Sequence, residues 1–294
     1  MKLQKNSEYN RGVLYIVGTP IGNLDDMTER ARKTLAEVDC IAAEDTRHTR
    51  KLLTHFSFST PLISYHEHSR VERELEILER LHRGESVAIV SDAGMPAISD
   101  PGAELVKRAI AEGIAVVPIP GANAALAALV GSGLSPQPFL FLGFLPRKSQ
   151  ERKRELQKWR QVEATLVMYE SPHRVKAMLQ DTKSTLGDRQ IVLARELTKK
   201  HEEWLRGSVS ESLTWLQEHE ARGEYTIVVE GLREEARGEE ERDKKWWRQL
   251  TVEEHVNWFI RRGRNSKEAI KAVAKERDLS KREVYQVYHV EEEE

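Results

Sequence analysis

The residues of this chain best suited to chemistry stand directly after short apolar runs. Gly18-Thr19-Pro20-Ile21-Gly22-Asn23 follows Val13–Val17, and glycines at such a corner let backbone approach a ligand closely. The run is not a Walker loop, since no Gly-Lys-Ser/Thr follows. Nor is it the dinucleotide fingerprint, since Gly18 and Gly22 stand four apart with Pro20 between them. A plain strand-to-helix turn is the alternative. Ser91 to Gly102 (SDAGMPAISDPG) is longer than such a turn needs. Its Asp92 suits ribose hydroxyls or the amino group of a ligand. Asp100, just before Pro101, suits the cap of the next helix. Pro120-Gly121-Ala122-Asn123-Ala124-Ala125 opens a helix of small residues whose first N–H groups could bond a ligand, although close helix packing also selects small residues.

Ala43-Glu44-Asp45-Thr46-Arg47 sets two carboxylates beside a basic cluster, which fits polar recognition or proton transfer. A helix start capped by Asp45 or Thr46 explains the acids as well, but not Arg47. Pro146-Arg147-Lys148 opens a stretch to Arg160 with seven basic and two acidic side chains, suited to phosphates or to a solvated helix face. Tyr169-Glu170-Ser171-Pro172-His173-Arg174 and Arg195-Glu196-Leu197-Thr198-Lys199-Lys200 are further polar clusters after apolar runs. No metal site is expected, because His66 and His68 flank Glu67 without a matching ligand pair nearby. Cys40 reads as an inert core thiol. Without a Gly-x-Ser-x-Gly, a serine-hydrolase elbow has no support.

The elements that must carry these corners alternate. Strands are expected at Val13–Val17, Ile41–Ala43, Leu62–Ile63, Ser86–Ser91 and Ile114–Ile119. Between them lie a helix starting at Asp26, a charged helix with Leu75, Leu78 and Leu81 on one face, and a helix over Ala103–Ala111. Continuous apolar strands alternating with helices imply a parallel sheet covered on both faces, with its strand-to-helix loops along one edge. A second α/β unit follows, with a helix at Ala122–Val130 and strands at Phe139–Leu145, Ala164–Tyr169, Gln190–Ala194 and Tyr225–Val229. Spacing leaves open whether its sheet is parallel or mixed. Residues 234–243 hold six acidic and two basic side chains and read as a linker or exposed helix. From Trp246, three short helices broken at Gly263–Asn265 and near Leu279 suggest a helix-turn-helix, with Ser266 as a cap. The expected division is an α/β domain at 12–121, a second at 122–233, an acidic linker at 234–245 and a basic unit at 246–290.

Composition narrows the class. With 294 residues, 46 basic and 48 acidic side chains and 39% hydrophobic content, the chain can build ordinary cores and is no uniformly basic coat protein. One cysteine excludes a disulfide framework and a Cys-rich zinc module. No apolar stretch approaches the roughly 18 residues of a membrane span, and the first apolar run is too short for a signal-peptide core. A cytoplasmic protein is expected. Residues 244–290 nonetheless contain 12 basic and 6 acidic side chains, and the chain ends in Glu291–Glu294.

Taken in order, GTPIGNL (18–24), AEDTR (43–47), SYHEH (64–68), SDAGMPAISDPG (91–102), PGANA (120–124), GFLPRK (143–148), YESPHR (169–174) and REL (195–197) closely resemble the ribosomal RNA small-subunit methyltransferase I family of the tetrapyrrole-methylase superfamily. The resemblance covers about residues 12–231, and the basic end resembles that family's helix-turn-helix domain. It implies an α/β fold of two domains with the methyl donor, S-adenosylmethionine, between them, and a homodimer. It also implies methylation of a cytidine ribose 2′-oxygen in small-subunit ribosomal RNA, with the assembled subunit as the expected form of that substrate. Two departures stand out. Ala122 replaces a frequent proline, and Ser91-Asp92-Ala93 replaces the Gly-Asp-Pro of the tetrapyrrole enzymes, which favours the RNA branch.

By motif, the donor site is expected to use Pro20, Ile21 and Gly22, then Asp92, Ala93, Gly94, Met95, Ile98 and Ser99, then Asn123 and Ala124. Tyr169, Ala194 and Thr226 would add contacts from the second domain. Methyl transfer to oxygen requires in-line positioning, and a base to take the hydroxyl proton. Glu44 or Asp45 is expected in that role, with Glu170 in reserve. Arg47, Arg147, Lys148 and the basic end are expected on RNA phosphates. The rival readings are a tetrapyrrole methyltransferase and a non-enzymatic, RNA-binding ribosome assembly factor.

Overall fold

The computed structural model describes Gln4 and residues 12–66, 70–233 and 246–290. The expected acidic linker (234–245), Glu67, His68 and Glu291–Glu294 lie outside the described residues. The chain divides into two compact units, one running through Leu232 and the other from Arg233.

The first unit holds two five-stranded sheets. Sheet one contains β1 (Val13–Val17), β2 (Cys40–Ala43), β3 (Leu62–Ser64), β4 (Val87–Val90) and β5 (Ala115–Ile119), ordered β3-β2-β4-β1-β5 and parallel throughout. Its central strands are buried on both faces, which is why they read as unbroken apolar runs. Helices α1 (Glu29–Glu37) and α2 (Thr46–His55) press Ala31, Leu35 and Leu53 on one face. On the other face α3 (Arg70–His82) and α4 (Ala103–Ala111) press Ile77, Leu78, Leu81, Leu105 and Ala109. The first helix starts later than the expected Asp26. A 3-10 turn occupies Leu24–Asp26, and Thr28 Oγ1 then accepts the Ala31 N–H at 3.1 Å as the cap of α1.

The chain passes to the second sheet through α5 (Ala124–Ser132). Ala125, Ala128 and Leu129 pack on Val167, Val192 and Val228 of that sheet. Sheet two is ordered β6-β7-β10-β8-β9 from β6 (Phe139–Phe144), β7 (Thr165–Glu170), β8 (Gln190–Arg195), β9 (Glu203–Ser208) and β10 (Tyr225–Val229). Only β6 and β7 pair in parallel, so the sheet is mixed. The sequence reading contains no β9. That strand lies at the sheet edge and carries Glu203 and Arg206, so it shows no apolar run. Helices α6 (Ser149–Lys158), α7 (Val175–Leu186) and α8 (Val209–Glu218) cover the outer core through Leu156, Met178, Leu179 and Leu216.

The second unit contains α9 (Val252–Arg261), α10 (Ser266–Arg277) and α11 (Lys281–Val290) around Val256, Phe259, Ile270, Val273 and Val284. Thr251 and Glu254 form a capping box on α9. Asn265, not the expected Ser266, caps α10: its backbone is extended and its Oδ1 accepts the Glu268 N–H at 2.9 Å, whereas Ser266 is already helical. Arg277 donates to the carbonyls of Trp247, Leu250 and Thr251 and to Nδ1 of His255, tying the segment before α9 to α10. Burial, with the Arg277 charge adding, pushes His255 down to about 4, so its imidazole is neutral at pH 7.

Candidate active site

In a parallel sheet the loops after each strand share one edge, and there the corners of β1, β2, β4 and β5 meet. They face the edge of sheet two at which β7 and β8 end. Because β10 runs antiparallel to both, its beginning lies at that same edge, with Thr226 in register with Tyr169 and Ala194, and Tyr225 with Glu170. Between the two edges is a cleft of about 410 Å³.

Its wall includes Ile21, Glu44, Asp92, Ala93, Gly94, Met95, Ile98, Ser99, Asn123, Ala124, Tyr169, Glu170, Ala194 and Thr226 from the expected set. Tyr169, Ala194 and Thr226 come from three strands well separated in sequence. The register of β10 with β7 and β8 sets them side by side.

Pro20, Gly22, Asp45, Arg47, Arg147 and Lys148 are not among the cleft-lining residues. Gly22 instead sits where a Cβ would come within 2.4 Å of Lys199 Cγ and 2.9 Å of Thr198 Oγ1, and the neighbouring Asn23 N–H donates to Thr198 Oγ1 at 3.1 Å. This corner clasps the loop after β8. Gly18 and Gly121 press on each other: a Cβ on either would lie 2.8 Å from the other's Cα. The sequence leaves Gly18 and Gly22 between ligand approach and a plain turn, and Gly121 between a ligand corner and close packing; here all three make loop-to-loop contact. Asp45 caps α2, its Oδ1 accepting the Arg47 N–H at 2.8 Å and its Oδ2 pairing with Arg47 Nη2 at 3.1 Å. Those bonds hold its carboxyl down at about 2. Arg147 and Lys148 are exposed on the loop before α6, which the buried Arg152 anchors by donating to Asp181 Oδ2 at 2.7 Å and to the carbonyls of Pro146 and Arg147.

The wall also contains Asp100, Phe144, Ser171, Pro172, Leu197, Glu224 and Tyr225, which sequence reasoning did not assign. Asp100 is not the helix cap it was expected to be. Gly102, at φ +136°, holds the cap position of α4 without a side-chain bond. Ala97 and Ser99 adopt left-handed backbone beside Asp100, a strained course that the surrounding loop must hold in place. Burial pushes the Asp100 carboxyl up to about 6, with a hydrogen bond from Ser91 opposing and the charge of Asp92 adding. Ser171, Pro172, Leu197 and Phe144 fall inside motifs visible in the sequence. Glu224 and Tyr225 had no such signal, since only antiparallel pairing brings them here.

Several wall groups are already engaged. Asp92 Oδ1 accepts the Asp45 N–H at 3.1 Å. Glu170 is buried, its Oε1 accepting the Ser171 N–H at 2.8 Å and its Oε2 lying 3.2 Å from Arg174. Glu224 Oε2 pairs with Lys199 at 2.8 Å. Asn123 Oδ1 caps α5 by accepting the Leu126 N–H at 3.0 Å, and the Tyr169 hydroxyl accepts the Ala125 N–H at 3.2 Å. Among the described residues the wall thus presents five carboxyl groups, Glu44, Asp92, Asp100, Glu170 and Glu224, and no lysine or arginine. Its electrostatics suit a cationic ligand, and the rings of Tyr169 and Phe144, 5.6 Å apart, add π faces.

The family model of tetrapyrrole (corrin/porphyrin) methylases matches residues 13–212. The chain is 52% identical over 98% of its length to ribosomal RNA small subunit methyltransferase I of Bacillus subtilis, covering 97% of that protein. It is 50% identical over 99% of its length to the protein of that name from Halalkalibacterium halodurans, covering all of it. Among solved structures, a diphthine synthase aligns with TM-score 0.60 and 14% identity over 75% of this chain and 90% of the other. Cobalt precorrin-4 methyltransferase aligns with TM-score 0.55 and 19% identity over 78% and 97%. These two likenesses establish the fold. By the span of the family match and by identity along nearly its whole length, the chain belongs to the tetrapyrrole methylase family, alongside the ribosomal RNA small subunit methyltransferase I proteins.

Proposed function

We propose that this protein methylates the ribose 2′-oxygen of a cytidine in small-subunit ribosomal RNA, with S-adenosylmethionine as the donor. The observation that carries this reading is the cleft's charge: five carboxyl groups and, among the described residues, no basic side chain face a space at the meeting of the strand-end corners. A sulfonium donor fits that lining, and when bound it supplies an activated methyl group. The cleft-lining corners at Ile21 and at Ala93 and Met95 can bond its polar ends, and the Tyr169 and Phe144 rings can face its charge.

The chain's own task is to hold the acceptor oxygen in line and to remove its proton. Of the carboxylates expected for proton removal, Asp45 does not line the cleft and Glu170 is buried in its wall, whereas Glu44 is half-buried there. Glu44 and Asp100 face the cleft, and we assign proton acceptance to this pair. Arg47, Arg147 and Lys148, all exposed, would contact phosphates. In the second unit Lys267, Lys281, Arg282 and the exposed Tyr285 border one groove suited to the same polymer. Action on the assembled small subunit, in the cytoplasm, and as a homodimer belongs to this proposal. The exposed Leu126 and Val130, four apart on α5, support a dimer contact.

The test supplies labelled donor with small subunits from cells lacking the protein, followed by mass mapping of ribose methylation. One new 2′-O-methylcytidine is expected. Methylation of a porphyrin precursor instead would establish the tetrapyrrole reading, and donor binding without any methylated product would leave an assembly factor.

A further inference from the structure

The cleft's edge continues into a surface of opposite charge. Glu44 lines the cleft, the Asp45 N–H bonds Asp92 of the cleft wall, and Thr46 begins α2. From Thr46 to His55 that helix contains no acidic residue. Arg47, Arg50, Lys51, Thr54 and His55 share one face by their three- and four-residue spacing, and with Thr46 they border a shallow groove of about 560 Å³. Arg50 and Lys51 are exposed and have no ion pair among the described residues. Arg47 is aimed by its bonds to Asp45. Residues 47 to 55 span about 12 Å of helix, the length of roughly three stacked nucleotides.

We propose that this face of α2 is a phosphate track that holds the RNA strand flanking the acceptor nucleotide, with Arg50 and Lys51 as its main cations. The track rests on the RNA reading above and adds the surface along which the strand enters. An acid-free row of cations beginning at the cleft mouth is complementary to a polyanion, while the cleft itself repels one. The strand's backbone is therefore held outside, leaving the acceptor sugar to reach in.

The experiment compares the full-length protein with the double variant Arg50→Glu/Lys51→Glu. Affinity for protein-free small-subunit ribosomal RNA is measured across a salt series, with donor affinity measured in parallel. The charge-matched control is Arg83→Glu/Lys107→Glu, at exposed positions after α3 and on α4, on the opposite face of sheet one. The expected result is a loss of RNA affinity of about tenfold or more in the α2 variant alone and a salt slope shallower by about 1.4, from two lost phosphate contacts at about 0.7 each. Donor affinity should be unchanged, which also reports an intact fold, and Arg50→Gln/Lys51→Gln should show a smaller loss in the same direction. Equal losses in the control, or an unchanged affinity and slope, overturn the track. A loss on intact subunits but not on protein-free RNA also overturns it, and would point to a ribosomal protein as the partner. Failure of the track leaves the wild-type protein binding and methylating RNA. Failure of the RNA reading leaves the wild type doing neither.

Discussion

Glu44 and Arg47 stand three residues apart, yet they border concave surfaces of opposite charge. Among the described residues, the cleft is walled by carboxyl groups without a lysine or arginine, and the groove along α2 by cations and hydroxyls without an acid. Both owe their position to one strand end, since β2 delivers Glu44 inward and the start of α2 outward. The two ligands of a methyl transfer can therefore be sorted by charge before any shape recognition: a cation is drawn inward and a polyanion is kept at the rim.

The severest test of this opposition lies at the cleft carboxylates. Glu44→Gln or Asp100→Asn should lower the single-turnover methylation rate by about 10²- to 10⁴-fold with donor affinity retained. Undiminished rates in both would remove the assignment. If Asp100 is the acceptor, the wild-type rate should climb as pH rises through about 6, a limb absent from Asp100→Asn. Burial is the main cause of that shift, with Ser91 opposing it and Asp92 adding to it.

Charge sorting itself is probed by a milder change. Ile98→Lys places a cation at an exposed wall position and should weaken donor binding by about tenfold, the size of one modest like-charge contact. Calorimetry showing unchanged donor affinity would sink the electrostatic account. Tyr169→Phe removes the acceptor of the Ala125 N–H and should cost about 1 kcal/mol of stability, read by denaturant titration.

A still subtler signature links pH and stability. The folded-state pKa of Asp100 lies above its ordinary value of 3.8, so the folded protein holds this proton more tightly than the unfolded chain. Its contribution therefore becomes less favourable as pH rises from about 4 to about 6 and stays so above. Asp100→Asn should raise the melting temperature at pH 7 and lose that advantage near pH 4. An equal gain at both pH values would place its origin elsewhere.

Much of the scaffold was legible because buried parallel strands must be apolar throughout. The bounds of β1 and β10 coincide with the apolar runs read from the sequence. The edge strand β9 was not, since one exposed side and a glutamate and an arginine in six residues leave no run to detect. At the site, backbone conformation and distant contacts decide between readings that the local residues leave open. Asp100 next to a proline looks like a cap until Gly102 takes that position. Gly18 reads from sequence as a ligand corner or a plain turn, and the Gly121 backbone lies against it. Glu224 precedes and Tyr225 opens an ordinary strand, and only its direction turns them into wall.

Gly18 and Gly121 also govern the mechanics of the cleft. Two turns held backbone to backbone cannot part without breaking that fit, and the neighbouring clasp of Gly22 and Asn23 on Thr198 joins them to the opposite sheet. This side of the cleft behaves as a fixed hinge plate. The stretch between Ser91 and Gly102 is fastened to the same plate, since Thr19 and Gly94 exchange N–H···O=C bonds at 2.9 and 3.2 Å, so a bulkier residue at Gly18 or Gly121 should loosen both loops together and weaken donor binding.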